Sequence, residues 1–174
     1  MSALNNQPAN KSFLSPIGFK FIIQKLPHVN YFCTSASIPD ISMGQIDTVQ
    51  NTFIKLPVPG DKLSFGLFNL RFTVDEDLKN FREIYDWLIG LGYPDNFEQR
   101  ASISRGIQSI GEVYSDGTMI VTTAQYKPNV EIKFIDMYPV SLSSLTFDIA
   151  GTSVEYLQAD VSFAYRKYEL TTIV

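Results

Sequence analysis

Few side chains in this sequence are of the types that catalyse reactions. His28 is its only histidine and Cys33 its only cysteine. A hydrolytic triad needs a histidine base, and the usual zinc sites need several Cys or His ligands, so the residues for either site are missing. His28 stands in the segment Pro27-His28-Val29-Asn30, whose composition favours a surface turn. Cys33 has no partner for an internal disulfide, and its apolar surroundings favour a small buried residue.

Carboxylates are densest at Asp75, Glu76 and Asp77. Such a group is able to bind a hard cation, but consecutive residues at a helix start point in different directions, which favours helix capping. The stretch Pro57–Lys62 has the composition of a ligand loop or of a structural turn, and the turn is favoured. Neither GxxxxGK[ST] nor GxGxxG occurs. We therefore expect no enzymatic activity, no cofactor and no metal.

Arg100 and Arg105 lie in residues 93–115, a segment without sustained hydrophobic periodicity. Loops of about twenty residues are uncommon in compact domains and are often functional. Two interpretations stay open: the arginines contact an acidic neighbour, or they are solvated.

Length and composition favour one β-rich domain. The chain has 174 residues, of which 45% are hydrophobic, including 13 Phe and 9 Tyr, and aromatic residues are enriched in strands. We expect a flexible arm over residues 1–16 and a single domain over 17–174. The absence of a long apolar run and of a signal-like start predicts a protein that stays in the cytoplasm. A net charge of −4 without basic clusters argues against tight nucleic-acid binding.

Alternating apolar residues predict the strands of the core. Within 67–74 the inward positions are Phe68, Leu70, Phe72 and Val74, and from residue 157 they are Leu157, Ala159, Val161, Phe163 and Tyr165. The strand over 130–137 carries Val130, Ile132 and Phe134 inward, and Pro139 is expected to end its pairing. Helical spacing predicts one helix over Glu76–Ile89, stopped by Gly90 and Gly92, with Trp87 packing it onto the sheet.

Turn signals suggest how the strands connect. Gly18–Leu26 and Tyr31–Ile38 are predicted to pair as a hairpin that Pro39 closes. Asp116-Gly117 is predicted to be a turn before a strand over Thr118–Tyr126. The fold class is therefore mainly β: a small β-sandwich or barrel of about seven strands with one flanking α-helix.

Residues 45–56 alternate more weakly, with Ile46 and Thr48 on one side. A strand this polar is unsuited to the centre of a monomer. One interpretation is a solvent-facing edge strand or long loop, and the other is a hairpin arm that pairs with another subunit.

Three stretches resemble the tail tube proteins of contractile-tailed bacteriophages, which are similar to the tube protein of type VI secretion systems. They are "FKFIIQKLPHVNYFCTSASIPDI", "LPVPGDKLSFGLFNLRFTVDED" and "IKFIDMYPVSLSSLTFDI" followed by "FAYRKYEL". They occur along the chain in the family's order. The resemblance implies stacked rings of six subunits, whose strands complete a multi-subunit barrel around a lumen that conducts DNA.

The resemblance also implies partners and a place: sheath, baseplate and terminator proteins, in a virion tail assembled in the host cytoplasm. On this reading the polar face of the last long strand is the candidate lumenal surface, because it is polar and lacks Lys and Arg: Gln158, Asp160 and Ser162. The candidate inter-subunit residues are Ile46, Thr48, Gln50, Arg100 and Arg105. Two alternatives stay open: a baseplate-proximal tube initiator, and a β-barrel module that binds a small apolar ligand.

Overall fold

The computed structural model of the chain describes residues 11–48, 56–92, 113–149 and 155–173. Within these ranges the protein is mainly β, with nine strands and two helices. The strands are β1 (Phe19–Ile23), β2 (Cys33–Ala36), β3 (Ile41–Thr48), β4 (Leu56–Phe65), β5 (Phe68–Thr73), β6 (Ser115–Thr122), β7 (Pro128–Leu142), β8 (Gln158–Ala164) and β9 (Lys167–Thr172). The helices are α1 (Pro27–Phe32) and α2 (Lys79–Gly92).

Seven strands form one antiparallel sheet in the order β1-β6-β7-β8-β5-β2, with β9 also paired to β7. The two halves of β7 have different partners: Val130–Ile135 pairs with β6 and β9, and Tyr138–Leu142 pairs with β8. Between the halves, Asp136 has a positive φ of 56° and the register with β6 shifts. Such an irregularity bends a strand, so the sheet changes direction within β7, between the half that pairs with β6 and β9 and the half that pairs with β8.

Aromatic rings from the two halves of the sheet meet in the core. Phe68 of β5 lies 5.0 Å from Phe21 of β1 and 4.6 Å from Phe134 of β7, measured between ring centroids. All three rings are fully buried. The predicted inward faces of β5, β7 and β8 are confirmed at their centres, where Leu70, Ile132 and Val161 are buried. The predicted inward residues at the ends are partly buried: Val74, Val130, Leu157 and Tyr165. The mainly β, sandwich-like fold is thus confirmed, although the described strands do not close a barrel.

Helix α2 packs on this core as predicted, but it starts later. Trp87 is buried, its ring lies 6.3 Å from that of Phe163, and its Nε1 donates to the Val113 carbonyl at 3.1 Å. Asp75–Asp77 were predicted to lie at the helix start, but α2 begins at Lys79 and its first turn contains no acidic residue. The Asn80 side chain instead links the start of the helix to the segment before it. It accepts a hydrogen bond from the Asp75 amide and donates one to the Thr73 carbonyl. The helix was predicted to end at Ile89, stopped by Gly90 and Gly92; α2 instead passes Gly90 and ends at Gly92.

The predicted hairpin of the first two strands does not form. β1 pairs with β6 and β2 pairs with β5, and the expected turn between them is helix α1. The Asn30 side chain accepts from the Ile23 amide and donates to the Ile23 carbonyl, both at 2.9 Å, which closes the end of β1. Pro27 in the first turn suits a helix because that position needs no amide donor. The chain therefore crosses from one half of the sheet to the other.

Two further turn signals lie inside strands. Gly117 pairs with Phe134 within β6, and a Cβ there would lie 2.4 Å from Met137 Sδ. Gly117 thus packs closely against the Met137 side chain within a strand and does not form a turn. Pro139 does not end the pairing of β7, because it stands opposite Phe163 just before a register shift. A proline is tolerated at such an irregularity.

β3 and β4 form a separate two-stranded sheet, paired from Ile41 opposite Phe65 to Thr48 opposite Leu56. The turn predicted over Pro57–Lys62 is part of β4. Pro57 and Pro59 stand opposite Asp47 and Gln45. In a hairpin whose outer edges are unpaired, their missing amide protons have little cost.

Candidate assembly surfaces

The β3–β4 hairpin exposes apolar side chains on both of its strands. Ile46 stands opposite Val58 and is 57% exposed, and Met43 stands opposite Leu63, which is 55% exposed. Ile41 is half-exposed as well. The alternating pattern that buries side chains in the main sheet thus leaves them open to solvent here. The described parts of residues 45–56 thus belong to paired strands of a hairpin. Whether the hairpin pairs with another subunit stays a prediction.

The hairpin is joined to the sandwich at its base by an aromatic cluster of Phe65, Tyr165 and Tyr168. The Phe65 ring lies 6.1 Å from Tyr165 and 5.6 Å from Tyr168. Tyr168 Oη donates to the Pro39 carbonyl at 3.2 Å, whereas the buried Tyr165 hydroxyl has no hydrogen-bond partner among the described residues. Burial disfavours the tyrosinate and raises the pKa of Tyr165 to about 12.

The main sheet has unpaired strand edges in the described part of the chain. β1 pairs only with β6, β2 only with β5 and β9 only with β7. An open edge presents free amide and carbonyl groups that are ready to pair with another chain. Three open edges and a hairpin are thus available for contacts between copies.

The predicted lumenal residues lie together on the outer face of β8. Gln158 and Asp160 are exposed and Ser162 is partly exposed, while the alternate positions Ala159 and Val161 are buried. The side-chain alternation is therefore confirmed. Whether this face lines a lumen stays a prediction.

Pairing between β5 and β8 adds residues to this face that the pattern of β8 alone does not show. Arg71 binds Asp160 through two hydrogen bonds, Nε to Oδ1 at 2.7 Å and Nη2 to Oδ2 at 3.1 Å. The hydrogen bonds and the charge of Asp160 raise the pKa of Arg71. Ser162 Oγ donates to Asn69 Oδ1 at 2.7 Å. The face is thus neutral and internally hydrogen-bonded, and the expectation that it lacks arginine holds only for β8 itself.

The other predicted inter-subunit residues are less informative. Thr48 is the last residue of β3, in the projecting hairpin. Gln50, Arg100 and Arg105 lie outside the described residues, as does most of the predicted loop 93–115. Their roles stay predictions.

His28 and Cys33 both contact neighbouring elements of the fold. His28 is half-exposed on α1, and its Nδ1 lies 2.5 Å from Glu83 Oε1 of α2, so it links the two helices. Cys33 is partly buried against the core, and burial raises the pKa of its thiol to about 11. Within the described ranges no three His, Cys, Asp or Glu residues are grouped to hold a metal ion. Neither α1 nor α2 has the length and apolar composition that a membrane span requires.

Comparisons with known proteins agree with this architecture. Residues 6–171 match the family model described as phage tail tube protein. No curated protein matches the sequence.

Solved structures that share the fold include the following three. A chain of the anti-feeding prophage cap structure is 19% identical, with 99% of this chain and 100% of that chain covered and a TM-score of 0.63. A chain of the PVC sheath–tube complex of an extracellular contractile injection system is 17% identical, with 99% of each chain covered and a TM-score of 0.62. A chain of the PVC sheath/tube terminator is 18% identical, with 93% and 99% covered and a TM-score of 0.61. Because the family model spans nearly the whole sequence, the chain belongs to the phage tail tube protein family and is a structural component of a tail tube.

Proposed function

We propose that six copies of this protein form a ring, that rings stack into a tail tube, and that the lumen of the tube conducts DNA during ejection. The observation that carries the proposal is the β3–β4 hairpin, which projects from the sandwich with apolar side chains exposed on both strands. The number six and the conduction of DNA rest on the resemblance to contractile-tail tube proteins.

The hairpin is poorly suited to a free monomer. An isolated two-stranded hairpin is marginally stable in water, and contiguous exposed apolar surface commonly marks an interaction site. Ile41, Ile46 and Leu63 are each about half exposed, so covering the remaining surface would contribute about 1 kcal/mol per side chain. A neighbouring copy that covers the hairpin therefore stabilises both the arm and the assembly.

The open edges of the sheet suit ring formation. Strands β1, β2 and β9 each pair on one side only within the described residues. If neighbouring copies pair through such edges, a continuous barrel forms and the exposed edges disappear. Each subunit then contributes strands to a shared wall, which a single copy cannot close.

The polar face of β8 suits a surface that DNA passes. Tight phosphate binding requires Lys or Arg that are available to pair with phosphates. On this face Arg71 is engaged by Asp160 through two hydrogen bonds, and Gln158, Ser162 and Asn69 are uncharged. A neutral wall allows DNA to move without being retained, and for this reason we assign the face to the lumen.

The same proposal also indicates which proteins contact the tube and where it assembles. The similar solved structures come from a tube-terminating cap, a sheath–tube complex and a sheath/tube terminator. We infer sheath, terminator and baseplate proteins as partners, assembly in the host cytoplasm, and a non-enzymatic role in the virion tail. A small-ligand module is disfavoured, because the rings of Phe68, Phe134 and Phe163 fill the space between the sheet halves.

Negative-stain microscopy and light scattering of the purified protein test the proposal. We expect rings or tubes with sixfold end views at high protein concentration. The matched variant replaces residues 45–56 by a short Gly-Ser turn, and it should remain folded by circular dichroism but stay monomeric. A wild-type protein that is monodisperse and monomeric at high concentration would contradict the proposal.

A further inference from the structure

A groove of about 620 Å³ lies where β5 ends and the chain enters β8. Its lining includes the partly buried side chains of Phe32, Val74 and Leu157. Phe147 and Tyr156 also line it and are strongly exposed, Tyr156 to 80%. Apolar and aromatic side chains around a concave surface of this size favour an apolar ligand or segment.

The groove is also acidic. Asp75, Glu76 and Glu155 line it, and none of its described lining residues is basic. Neither Glu76 nor Glu155 forms an ion pair with another residue in the described ranges. The groove therefore suits an occupant that combines apolar side chains with positive charge.

One exposed segment of this chain has that composition. Residues 11–17 expose Phe13 to 94%, Leu14 to 64% and Ile17 to 75%. The segment begins with Lys11, and the first acidic residue of the entire sequence is Asp40. In a chain with a net charge of −4, this acid-free, apolar segment is complementary in charge to the groove.

The segment and the groove lie at opposite ends of β7. Ser12, Phe13 and Leu14 lie beside Thr123–Gln125 and Asn129, at the turn that leads into β7. The groove lies beyond the far end of β7, where the Ser143 amide donates to the Asp160 carbonyl near the start of β8. The two surfaces are thus separated along the chain by the whole of β7, Pro128–Leu142. Because they lie at different places on one copy, they are able to meet between copies.

We propose that residues 11–17 of one copy bind in the Glu76–Glu155 groove of the next copy. Phe13 and Leu14 then cover the exposed rings of Phe147 and Tyr156, and Lys11 approaches the groove carboxylates. The contact is heterologous, because different surfaces of the two copies meet, and such contacts propagate head to tail. This inference deepens the proposed function, since it rests on stacked copies and names a surface through which they stack.

Disulfide trapping tests the contact in the assembled full-length protein. In a Cys33→Ser background, Leu14→Cys combined with Tyr156→Cys should give a ladder of oligomers on a non-reducing gel. The control pair combines Leu14→Cys with Tyr85→Cys, because Tyr85 is an exposed aromatic residue on α2. We expect at least tenfold more ladder from the groove pair than from the control pair.

The outcomes separate this inference from the proposed function. Tubes in the microscope without a groove-specific ladder would overturn the inference and leave the tube intact. A ladder from Leu63→Cys with Tyr156→Cys, in place of the Leu14 pair, would assign the groove to the hairpin of a neighbour and also overturn it. Absence of both tubes and ladder would overturn both proposals.

Charge reversal supplies a second test. Glu155→Lys should lower the assembled fraction several-fold, and Lys11→Glu in the same chain should restore it. Asp86→Lys on α2 makes the same change in net charge away from the groove and should leave assembly near the wild-type level. Equal losses for Glu155→Lys and Asp86→Lys, or a failure of Lys11→Glu to restore assembly, would overturn the contact.

Discussion

The sandwich and the β3–β4 hairpin use apolar residues in opposite ways. In β5 and β8 the apolar side chains are buried and the outward side chains pair with one another, as Arg71 does with Asp160. In the hairpin, Ile41, Met43 and Leu63 are exposed within the single chain. The difference separates residues that stabilise the fold from residues that are available to stabilise an assembly.

The largest expected effect is on folding, and it comes from the sandwich. Phe163→Ala removes a fully buried ring that contacts Phe68 and Trp87. We expect the free energy of unfolding to fall by about 3–5 kcal/mol, because the lost contacts leave a cavity. Urea denaturation measures it. A loss as small as that expected for exposed Tyr85→Ala would show that Phe163 is not part of a packed core.

The hairpin should show the reverse behaviour. Ile46→Ser with Leu63→Ser should change the free energy of unfolding of the monomer by about 0.5 kcal/mol or less, as surface substitutions do. The same variant should lower the assembled fraction at least tenfold, since about 1.4 kcal/mol of lost contact energy has that effect. Sedimentation velocity measures assembly. A stability loss comparable to that of Phe163→Ala would show that the hairpin side chains stabilise the fold of the monomer, as those of the sandwich do.

The junction of the two regions offers a change of smaller size. The Tyr165 hydroxyl is buried without a hydrogen-bond partner in the described structure, so Tyr165→Phe should raise the free energy of unfolding by up to about 1 kcal/mol. The matched variant Tyr168→Phe should lower it by about 1 kcal/mol, because it loses the hydrogen bond to the Pro39 carbonyl. Thermal or urea denaturation of both variants checks the opposite signs.

The same tyrosine predicts a pH dependence. The pKa of Tyr165 rises from 10.0 to about 12 on folding, so the unfolded chain loses this proton first as the pH rises. The free energy of unfolding is therefore unaffected by this titration below about pH 10 and falls as the pH rises toward about 12. Tyr165→Phe should flatten the decline of stability over that window. An unchanged decline would contradict the burial of the hydroxyl.

The last comparison concerns the polar face of β8. Both members of the Arg71–Asp160 pair are solvent-exposed, so Asp160→Asn should change the free energy of unfolding little. It leaves Arg71 available to phosphates, and binding of a double-stranded oligonucleotide at low salt should rise several-fold. Asp86→Asn releases Arg82 on α2 in the same way and is the matched control. Equal DNA binding by Asp160→Asn and Asp86→Asn would show that the Arg71–Asp160 pair does not keep this face, in particular, from binding DNA.

Local pattern predicted the buried faces well, because alternation depends only on neighbouring residues. The inward residues of β5 and β8 follow their two-residue period, and Trp87 packs where the helical period places it. Strand pairing was predicted less well. β1 and β2 look like a hairpin, yet their partners β6 and β5 are set by contacts across the core.

The candidate site was predicted in part for the same reason. Gln158, Asp160 and Ser162 share a face, as alternation requires. Arg71, which neutralises the charge of Asp160, was predicted as an outward residue of its own strand. Its contact with Asp160 depends on the register of β5 against β8, which the local pattern does not show. Gly117 and Pro139 carry local turn signals that the long-range pairing of β6, β7 and β8 overrides.

The sequence separation of the strand pairs has a consequence for synthesis. The two strands of the hairpin pair within one short stretch, Ile41 to Phe65. Phe68 of β5, in contrast, cannot pair until Phe163 of β8 has been synthesised. At a synthesis rate of about 5–20 residues per second, that wait is on the order of 5–20 s, while a hairpin forms in about 1–10 μs. The β3–β4 hairpin, with its exposed apolar side chains, is therefore able to form long before the sandwich is complete. Nascent chains on neighbouring ribosomes would meet through their arms first, so the timing of translation bears on whether copies assemble in order or aggregate.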